Sequence, residues 1–343
     1  MKALQLSPGE TTPRLVDVSQ PEPGPGQVLM RVGGAGACHS DLHLMEGLAA
    51  LMGQDAFTLG HENAGWIEAL GPGVAGFEVG QPVAVYGPWG CGVCRTCRQG
   101  NENYCETGSL TKGGGGGLGI DGGMAEYLLV PSPRLLVPLD KLAPWQAAPL
   151  TDAALTPYHA VKRSLPRLVP GSAAVVIGAG GLGHMAVQIL KALTPAKVIV
   201  VDARAEALEL ATSLGADKTV LTSDKTVEEV RGLTNGRGAE LVLDLVGSSD
   251  TLPVAAGSGC LLGDVTLVGL GMGTVPFGFM TQPYECSLTA TYWGGIIELM
   301  EVIALAEAGM LEAHIERFPL DQAVEAYDRM REGRLQGRAV IVP

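Results

Sequence analysis

The chain has 343 residues, about twice the length at which a single hydrophobic core stops being efficient, so two domains are expected. Its hydrophobic content of 46% is ordinary for a globular protein, and no stretch approaches the roughly twenty apolar residues that a membrane-spanning helix needs. With 23 basic against 36 acidic residues the net charge is −13, which argues against an electrostatic grip on nucleic acid and leaves small molecules as the expected partners.

Up to about Pro149, short apolar runs such as Val28-Leu29-Met30 and Val83-Ala84-Val85-Tyr86 alternate with Gly and Pro, and few segments hold a helical period. This half reads as mostly β with loops. No apolar signal segment follows Met1-Lys2-Ala3, so a reducing, cytoplasmic setting is expected. Cys91, Cys94, Cys97 and Cys105 then follow at the spacing C-x2-C-x2-C-x7-C. In a reducing compartment that density of thiolates reads as a closed tetrahedral Zn2+ site, a staple that performs no chemistry. The glycine run 113–117 reads as a mobile loop.

From about Thr151 the pattern changes. Buried-strand runs at 174–177, 198–201, 241–246 and 265–269 are interleaved with helical segments at 184–193 and 206–214, and the alternation fades near Tyr284. Strand alternating with helix implies an α/β fold with a doubly wound parallel sheet. The tail holds amphipathic helices near 296–308 and 321–331 and ends in the strand-like run 338–342, placed to pair back with the first domain. The expected division is therefore 1–150 with 287–343 as one domain and 151–286 as the other.

Gly178-Ala179-Gly180-Gly181-Leu182-Gly183 fits G-x-G-x-x-G, follows a predicted strand and opens a predicted helix. Asp202 lies 19 residues after Gly183 at the end of the next strand, the spacing of a dinucleotide fold. The first glycine permits the tight turn, the second admits the pyrophosphate and the third lets helix and strand pack closely. A carboxylate at Asp202 accepts hydrogen bonds from ribose hydroxyls and repels a 2′-phosphate, so NAD is expected over NADP; Arg204, two residues on, leaves some NADP use open.

Three further segments carry chemically suited side chains: Cys38-His39-Ser40-Asp41-Leu42-His43, Gly60-His61-Glu62 and Pro149-Leu150-Thr151-Asp152. Cys38, His61 and Asp152 are sound zinc ligands by type, and three protein ligands plus one open position are what a catalytic zinc requires. Their scattered positions equally suit a buried core cysteine and a hydrogen-bonded histidine.

Taken together, Cys38 with Ser40 and His43, the segment Gly60-His61-Glu62-x-x-Gly65-x5-Gly71-x2-Val74, the cysteine lobe and the glycine fingerprint with Asp202 resemble the zinc-dependent medium-chain alcohol dehydrogenases over essentially the whole chain. The resemblance implies a β-rich, partly barrel-like (GroES-like) catalytic domain beside the doubly wound NAD domain, with substrate in the cleft between them. It implies two Zn2+ per chain, one structural at the four cysteines and one catalytic at Cys38, His61 and Asp152. Many family members have a third cysteine where this chain has Asp152, and Glu62 is the alternative ligand. Ser40 and His43 resemble a relay that carries the alcohol proton out through the cofactor ribose, and Asp41 a carboxylate that orients His61. Thr156, Val246 and Leu270 fall where the cofactor is expected to rest, and Arg338 resembles a pyrophosphate-binding arginine.

The implied reaction is NAD-dependent hydride transfer, with zinc as the Lewis acid that lowers the alcohol pKa. Tyr292 and Trp293 are candidates for the substrate pocket and incline the expectation to small or medium hydrophobic alcohols, secondary and aryl ones included. A polyol or aldehyde-reducing zinc dehydrogenase and a non-catalytic NAD-binding protein are the competing readings. A homo-oligomer, dimer or tetramer, joined through the edge of the NAD-domain sheet is expected. Cys260 and Cys286 are expected as buried packing residues.

Overall fold

The computed structural model describes residues 1–51, 55–108 and 114–343. The chain divides into two compact units, Met1–Leu155 with Gly294–Pro343, and Thr156–Trp293.

The first unit is built on a long mixed sheet. Its strand order is Leu136–Pro138, Pro82–Val85, Glu62–Leu70, Val28–Ala37, Arg338–Val342 and Ile315–Pro319, and Tyr127–Val130 adds to Val28–Ala37. Val28–Ala37 is the hub because nine of its ten residues are apolar or glycine, all but Arg31, on a buried, two-sided strand that tolerates neighbours on both edges. Its end runs antiparallel to Glu62–Leu70, with Gly36 opposite Glu62, and to the last strand, with Ala37 opposite Ala339. That register brings Cys38, Glu62 and Arg338 to one place although they are up to 300 positions apart. Gly36 has a local reason: a Cβ there would overlap the Glu62 carboxylate. Leu4, Leu6, Met30, Leu59, Ile67, Tyr86 and Met124 fill the core of this unit.

The second unit is a six-stranded, all-parallel sheet in the order Lys218–Leu221, Lys197–Asp202, Ala173–Ile177, Ala239–Asp244, Gly259–Leu267 and Ser287–Ala290. The helices Gly183–Leu193, Ala205–Ser213, Thr226–Leu233 and Thr251–Ser258 connect its strands. Val175, Ile199, Val201, Val242 and Val265 are buried within it, which is why these strands read as continuous apolar runs. The order reverses between Ala173–Ile177 and Ala239–Asp244, and ligands of such sheets bind outside the carboxyl ends at that switch point.

Three details differ from the sequence reading. The sheet continues through Ser287–Ala290, past the fading of the pattern near Tyr284, because this edge strand exposes both its end residues and carries no buried run. The strand expected at 241–246 stops at Asp244, whose carboxylate accepts the N–H groups of Val246 and Gly247 and turns the chain. Within the glycine run, Gly113 lies outside the described residues, while Gly115–Gly116 is a buried strand paired with Gly119–Ile120 rather than a loose loop. The backbone presses so closely there that a Cβ on Gly115 would meet the carbonyl of Gly87.

Candidate active site

The cysteine lobe has the geometry of a metal cage. Sγ of Cys91 is 3.9 Å from Sγ of Cys97, and Sγ of Cys94 is 4.0 Å from Sγ of Cys105. All four sulfurs lie within 4.8 Å of one another. A tetrahedron with Zn–S bonds of about 2.3 Å has edges of about 3.8 Å, so the donor set fits zinc. Backbone N–H groups of Cys91 and Gly108 donate to Cys105 Sγ, each at 3.3 Å. Burial alone would raise the Cys105 thiol, but these bonds and one from Thr107 bring it down to about 5, in thiolate territory. Arg134 braces the lobe from behind, donating to both Glu102 oxygens at 3.1 and 3.0 Å and to the Gly90 carbonyl at 2.6 Å.

The second donor set assembles Cys38, His61, Glu62 and Asp152, again with ligand atoms within 4.8 Å of one another. Cys38 caps the helix His39–Met45, and Asp41, three residues into it, accepts the Cys38 N–H at 2.9 Å. The same Asp41 carboxylate lies 3.2 Å from His61 Nδ1. With Nδ1 turned to a carboxylate, Nε2 is left facing the cluster, 3.5 Å from Asp152 Oδ2. Cys38 Sγ is 3.8 Å from the same oxygen. Burial opposes the Cys38 thiolate, yet the Arg338 charge and the His61 hydrogen bond outweigh it and lower the thiol. A thiolate, an imidazole nitrogen and a carboxylate at these separations fit one zinc.

Glu62 is fully buried and does not face the cluster unpaired. Arg338, 3% exposed, donates through Nε to Glu62 Oε2 at 3.0 Å and through Nη2 to Oε1, and its Nη2 is 3.8 Å from Asp152 Oδ2. Burial works against the guanidinium charge, but Cys38 and Glu62 hold it firmly protonated. Arg338 is thus found against Glu62 in the first unit, whereas the sequence reading set it at a pyrophosphate.

Ser40 Oγ lies 3.5 Å from Cys38 Sγ on the same short helix. His43, one turn on, is part-exposed, with Nδ1 3.4 Å from Glu46 Oε2. A hydroxyl beside the Cys38 sulfur and an imidazole open to water are the two ends a proton path needs.

In the second unit, Gly178 adopts φ +90°, and a Cβ on it would strike a methyl of Val246. A Cβ on Gly183 would strike the Gly178 carbonyl, which explains the last glycine. Gly180 is different: only an Arg204 nitrogen, 3.7 Å away, stands near its Cβ position, so the turn is open where a pyrophosphate would approach the N-terminus of Gly183–Leu193. Gly181 and Leu182 complete the turn, Leu182 as the helix cap. Asp202 Oδ2 accepts the Ala179 N–H at 2.7 Å and Oδ1 the Arg204 N–H at 2.9 Å, while Arg204 Nε lies 3.5 Å from Oδ1. Each carboxylate oxygen keeps a further lone pair for a ribose hydroxyl. Thr156 is buried near the start of Leu155–Ser164, and Val246 and Leu270 are exposed beyond the carboxyl ends of their strands. Tyr292 and Trp293 meet edge to face at 5.5 Å, with Trp293 buried and at φ +54°.

Two buried groups escaped the sequence reading. Tyr327 OH donates to Asp41 Oδ2 at 2.9 Å, and Asp244 holds the turn after its strand. Neither has a local motif, since each works through a partner the chain reaches only by folding.

Residues 24–141 match the model of the alcohol dehydrogenase GroES-like domain, and residues 181–308 that of the zinc-binding dehydrogenases. The chain is 37% identical to an NAD-dependent alcohol dehydrogenase of Sulfurisphaera tokodaii, with all of both chains covered. It is 38% identical to a D-arabinose 1-dehydrogenase (NADP(+)) of Saccharolobus solfataricus, over 95% of this chain and 93% of that one. Among solved structures it superposes on acetophenone reductase from Geotrichum candidum in complex with NAD, with a TM-score of 0.87, 31% identity, and 100% and 97% of the two chains covered. Among the described residues, no helix is long and apolar enough to cross a membrane.

Proposed function

Because this chain belongs to the zinc-dependent medium-chain alcohol dehydrogenases, and is an NAD-dependent alcohol dehydrogenase, we propose that it interconverts small to medium hydrophobic alcohols, secondary and aryl ones included, with their ketones or aldehydes. The observation that carries the reading is the convergence of Cys38, His61 and Asp152 on one point, with Asp41 behind His61. When bound there, zinc supplies the Lewis acidity that makes an alcohol hydroxyl acidic near neutral pH.

The protein's own residues do the rest. Cys38, His61 and Asp152 hold the catalytic zinc, and Glu62 stands ready behind them with its charge balanced by Arg338. Ser40 Oγ takes up the alcohol proton as it passes its own on, and His43 delivers a proton to water at the exposed end of the path. The four cysteines hold the structural zinc. Both metals then lie in Met1–Leu155 with Gly294–Pro343, and NAD is held by Thr156–Trp293. Gly180 and the helix N-terminus take the pyrophosphate, Asp202 the adenosine ribose, and Val246 and Leu270 flank the nicotinamide.

Two findings support the aryl preference: the edge-to-face pair of Tyr292 and Trp293, and the likeness to acetophenone reductase. The likeness to a D-arabinose dehydrogenase favours a polyol or sugar as the second reading. We further infer a cytoplasmic homo-oligomer, dimer or tetramer; Ser287–Ala290 is a sheet edge with one neighbour among the described residues.

The test is the initial rate of NADH formation from NAD and 1-phenylethanol, run beside D-arabinose, before and after chelation and zinc restoration. A rate with 1-phenylethanol that vanishes with the metal and returns with it supports the proposal. Turnover of D-arabinose alone would move the substrate class to polyols and sugars, and turnover of neither would revive the non-catalytic reading.

A further inference from the structure

Asp244 ends the strand on the far side of the switch point from the glycine turn, in register with Ile177. Its side chain is fully buried, so it touches no ligand. Each of its oxygens is nevertheless committed. Oδ1 accepts the N–H groups of Val246 at 3.1 Å and Gly247 at 2.8 Å, and Oδ2 accepts the Thr251 hydroxyl at 3.0 Å. The Asp244 carbonyl takes the N–H groups of Val268 and Gly269 at 2.8 and 3.0 Å. One residue therefore ties together the turns that leave two adjacent strands.

Beyond Asp244 those turns are zipped backbone to backbone. Gly271 N–H donates to the Val246 carbonyl at 3.0 Å and Gly273 N–H to the Gly247 carbonyl at 2.8 Å. A Cβ on Gly247 would strike the Gly269 carbonyl, one on Gly269 the Val246 backbone, and one on Gly273 the Ser248 backbone. The ladder leaves Val246 and Leu270 as exposed apolar side chains at its rim, and Val246 also fills the space beside Gly178. Burial pushes the Asp244 carboxyl above its ordinary value, so keeping a charge here works against the fold. A buried acidic side chain spent on holding the turns after two strands, at the point where a doubly wound sheet binds its ligand, marks a functional constraint.

We propose that Asp244 is a positioning residue for the nicotinamide half of the dinucleotide: it fixes the shelf of Val246 and Leu270, as Asp202 and the glycine turn fix the adenosine half. The two halves of such a sheet bind the two mononucleotides on either side of the switch point, and Asp244 stands on the side opposite Asp202. The inference rests on the NAD site proposed above.

ADP-ribose, which has every part of the cofactor except the nicotinamide, isolates the effect. With the zinc-loaded protein, Kd is measured for NADH by fluorescence and for ADP-ribose by calorimetry. Asp244→Ala is expected to weaken NADH about tenfold and ADP-ribose less than twofold, the scale on which misplacement of a contact surface is felt. Asp244→Asn, which keeps an acceptor toward Val246 and Gly247, is expected to restore part of the loss. Should Asp244→Ala not fold, Asp244→Asn and Thr251→Val carry the same comparison. Equal loss of both ligands, or no loss of either, overturns the proposal. A wild-type protein that binds neither ligand overturns instead the NAD site on which it rests.

Discussion

Tyr327 donates its hydroxyl to Asp41 Oδ2 at 2.9 Å while Asp41 Oδ1 lies 3.2 Å from His61 Nδ1, and none of the three side chains is more than 2% exposed. A helix near the end of the chain, Ala323–Arg331, therefore orients an imidazole that lies more than 260 positions earlier. The arrangement has a direction: Tyr327 and the Cys38 N–H fix the carboxylate, and the carboxylate beside Nδ1 leaves His61 Nε2 turned to Asp152.

Replacing Tyr327 by Phe deletes one donor to Asp41 and leaves every ligand in place. Groups behind a metal-bound histidine are worth roughly 10–100-fold in metal affinity, and Tyr327 stands one bond further out, so release of the catalytic zinc to a chelator should quicken about three- to tenfold. The zinc of the four-cysteine lobe should leave at its wild-type rate. Zinc release followed with a colorimetric chelator resolves the two ions as two phases, and equal acceleration of both would mean that the substitution merely loosens the fold.

The two donor sets predict opposite phenotypes for two Cys→Ser changes. Cys38→Ser should abolish turnover while the protein stays folded and still binds NADH. Cys94→Ser breaks a closed cage whose metal contributes directly to folding, and it should chiefly lower the melting temperature. Circular dichroism melts and NADH titrations on both variants check the division. Loss of folding in both would sink it.

Arg338 and Glu62 form a buried pair, 3% and 0% exposed, and removing one member strands the other. Arg338→Met should cost about 3–5 kcal/mol in denaturant unfolding. Adding Glu62→Met should recover much of that loss, since the second change removes the stranded carboxylate. Additive losses in the double variant would show that packing, rather than charge pairing, holds this part of the core.

What was legible in the sequence divides along sequence distance. The cysteine lobe spans 15 residues and the glycine turn six, so spacing alone carries their geometry. Cys38, His61 and Asp152 could be named by type, but only the register of Val28–Ala37 against Glu62–Leu70 sets Cys38 beside His61 and Glu62. Arg338 and Glu62 were each readable as functional residues, while their pairing was not, because it depends on the antiparallel pairing of Arg338–Val342 with the same strand. Asp244 looked like any strand-end aspartate, because its role appears only when the turns after two strands are seen zipped together.

In the proposed NAD site, Asp202, with Arg204 Nε 3.5 Å from its Oδ1, is expected to set cofactor preference. Asp202→Ala removes the charge that repels a 2′-phosphate and frees the guanidinium from its neighbour. The ratio of kcat/KM for NADP to that for NAD should rise about 10–100-fold. Adding Arg204→Ala should reverse most of the gain if the arginine is what greets the phosphate. A ratio unmoved by the first change would place cofactor selection elsewhere.

The buried carboxyl of Asp244 also predicts how stability depends on pH. Burial raises its folded-state value above the unfolded one of about 3.9, against the smaller opposing pull of the Gly247, Val246 and Thr251 hydrogen bonds. For an acid shifted upward, the folded state holds its proton more tightly than the unfolded chain does. The stabilising contribution is then complete below the unfolded value and is lost as pH rises through the folded one. Asp244→Asn does not titrate, and the remaining acids are common to both proteins, so subtracting one stability curve from the other isolates this group. The variant's stability minus the wild type's should therefore grow between pH 4 and pH 7, by about 1.4 kcal/mol for each unit that separates the two values. Urea unfolding of the zinc-loaded protein without cofactor, at several pH values, gives that difference. A gap that narrows with pH would mean that the hydrogen bonds to Val246, Gly247 and Thr251 outweigh burial and hold Asp244 ionised at a gain to the fold.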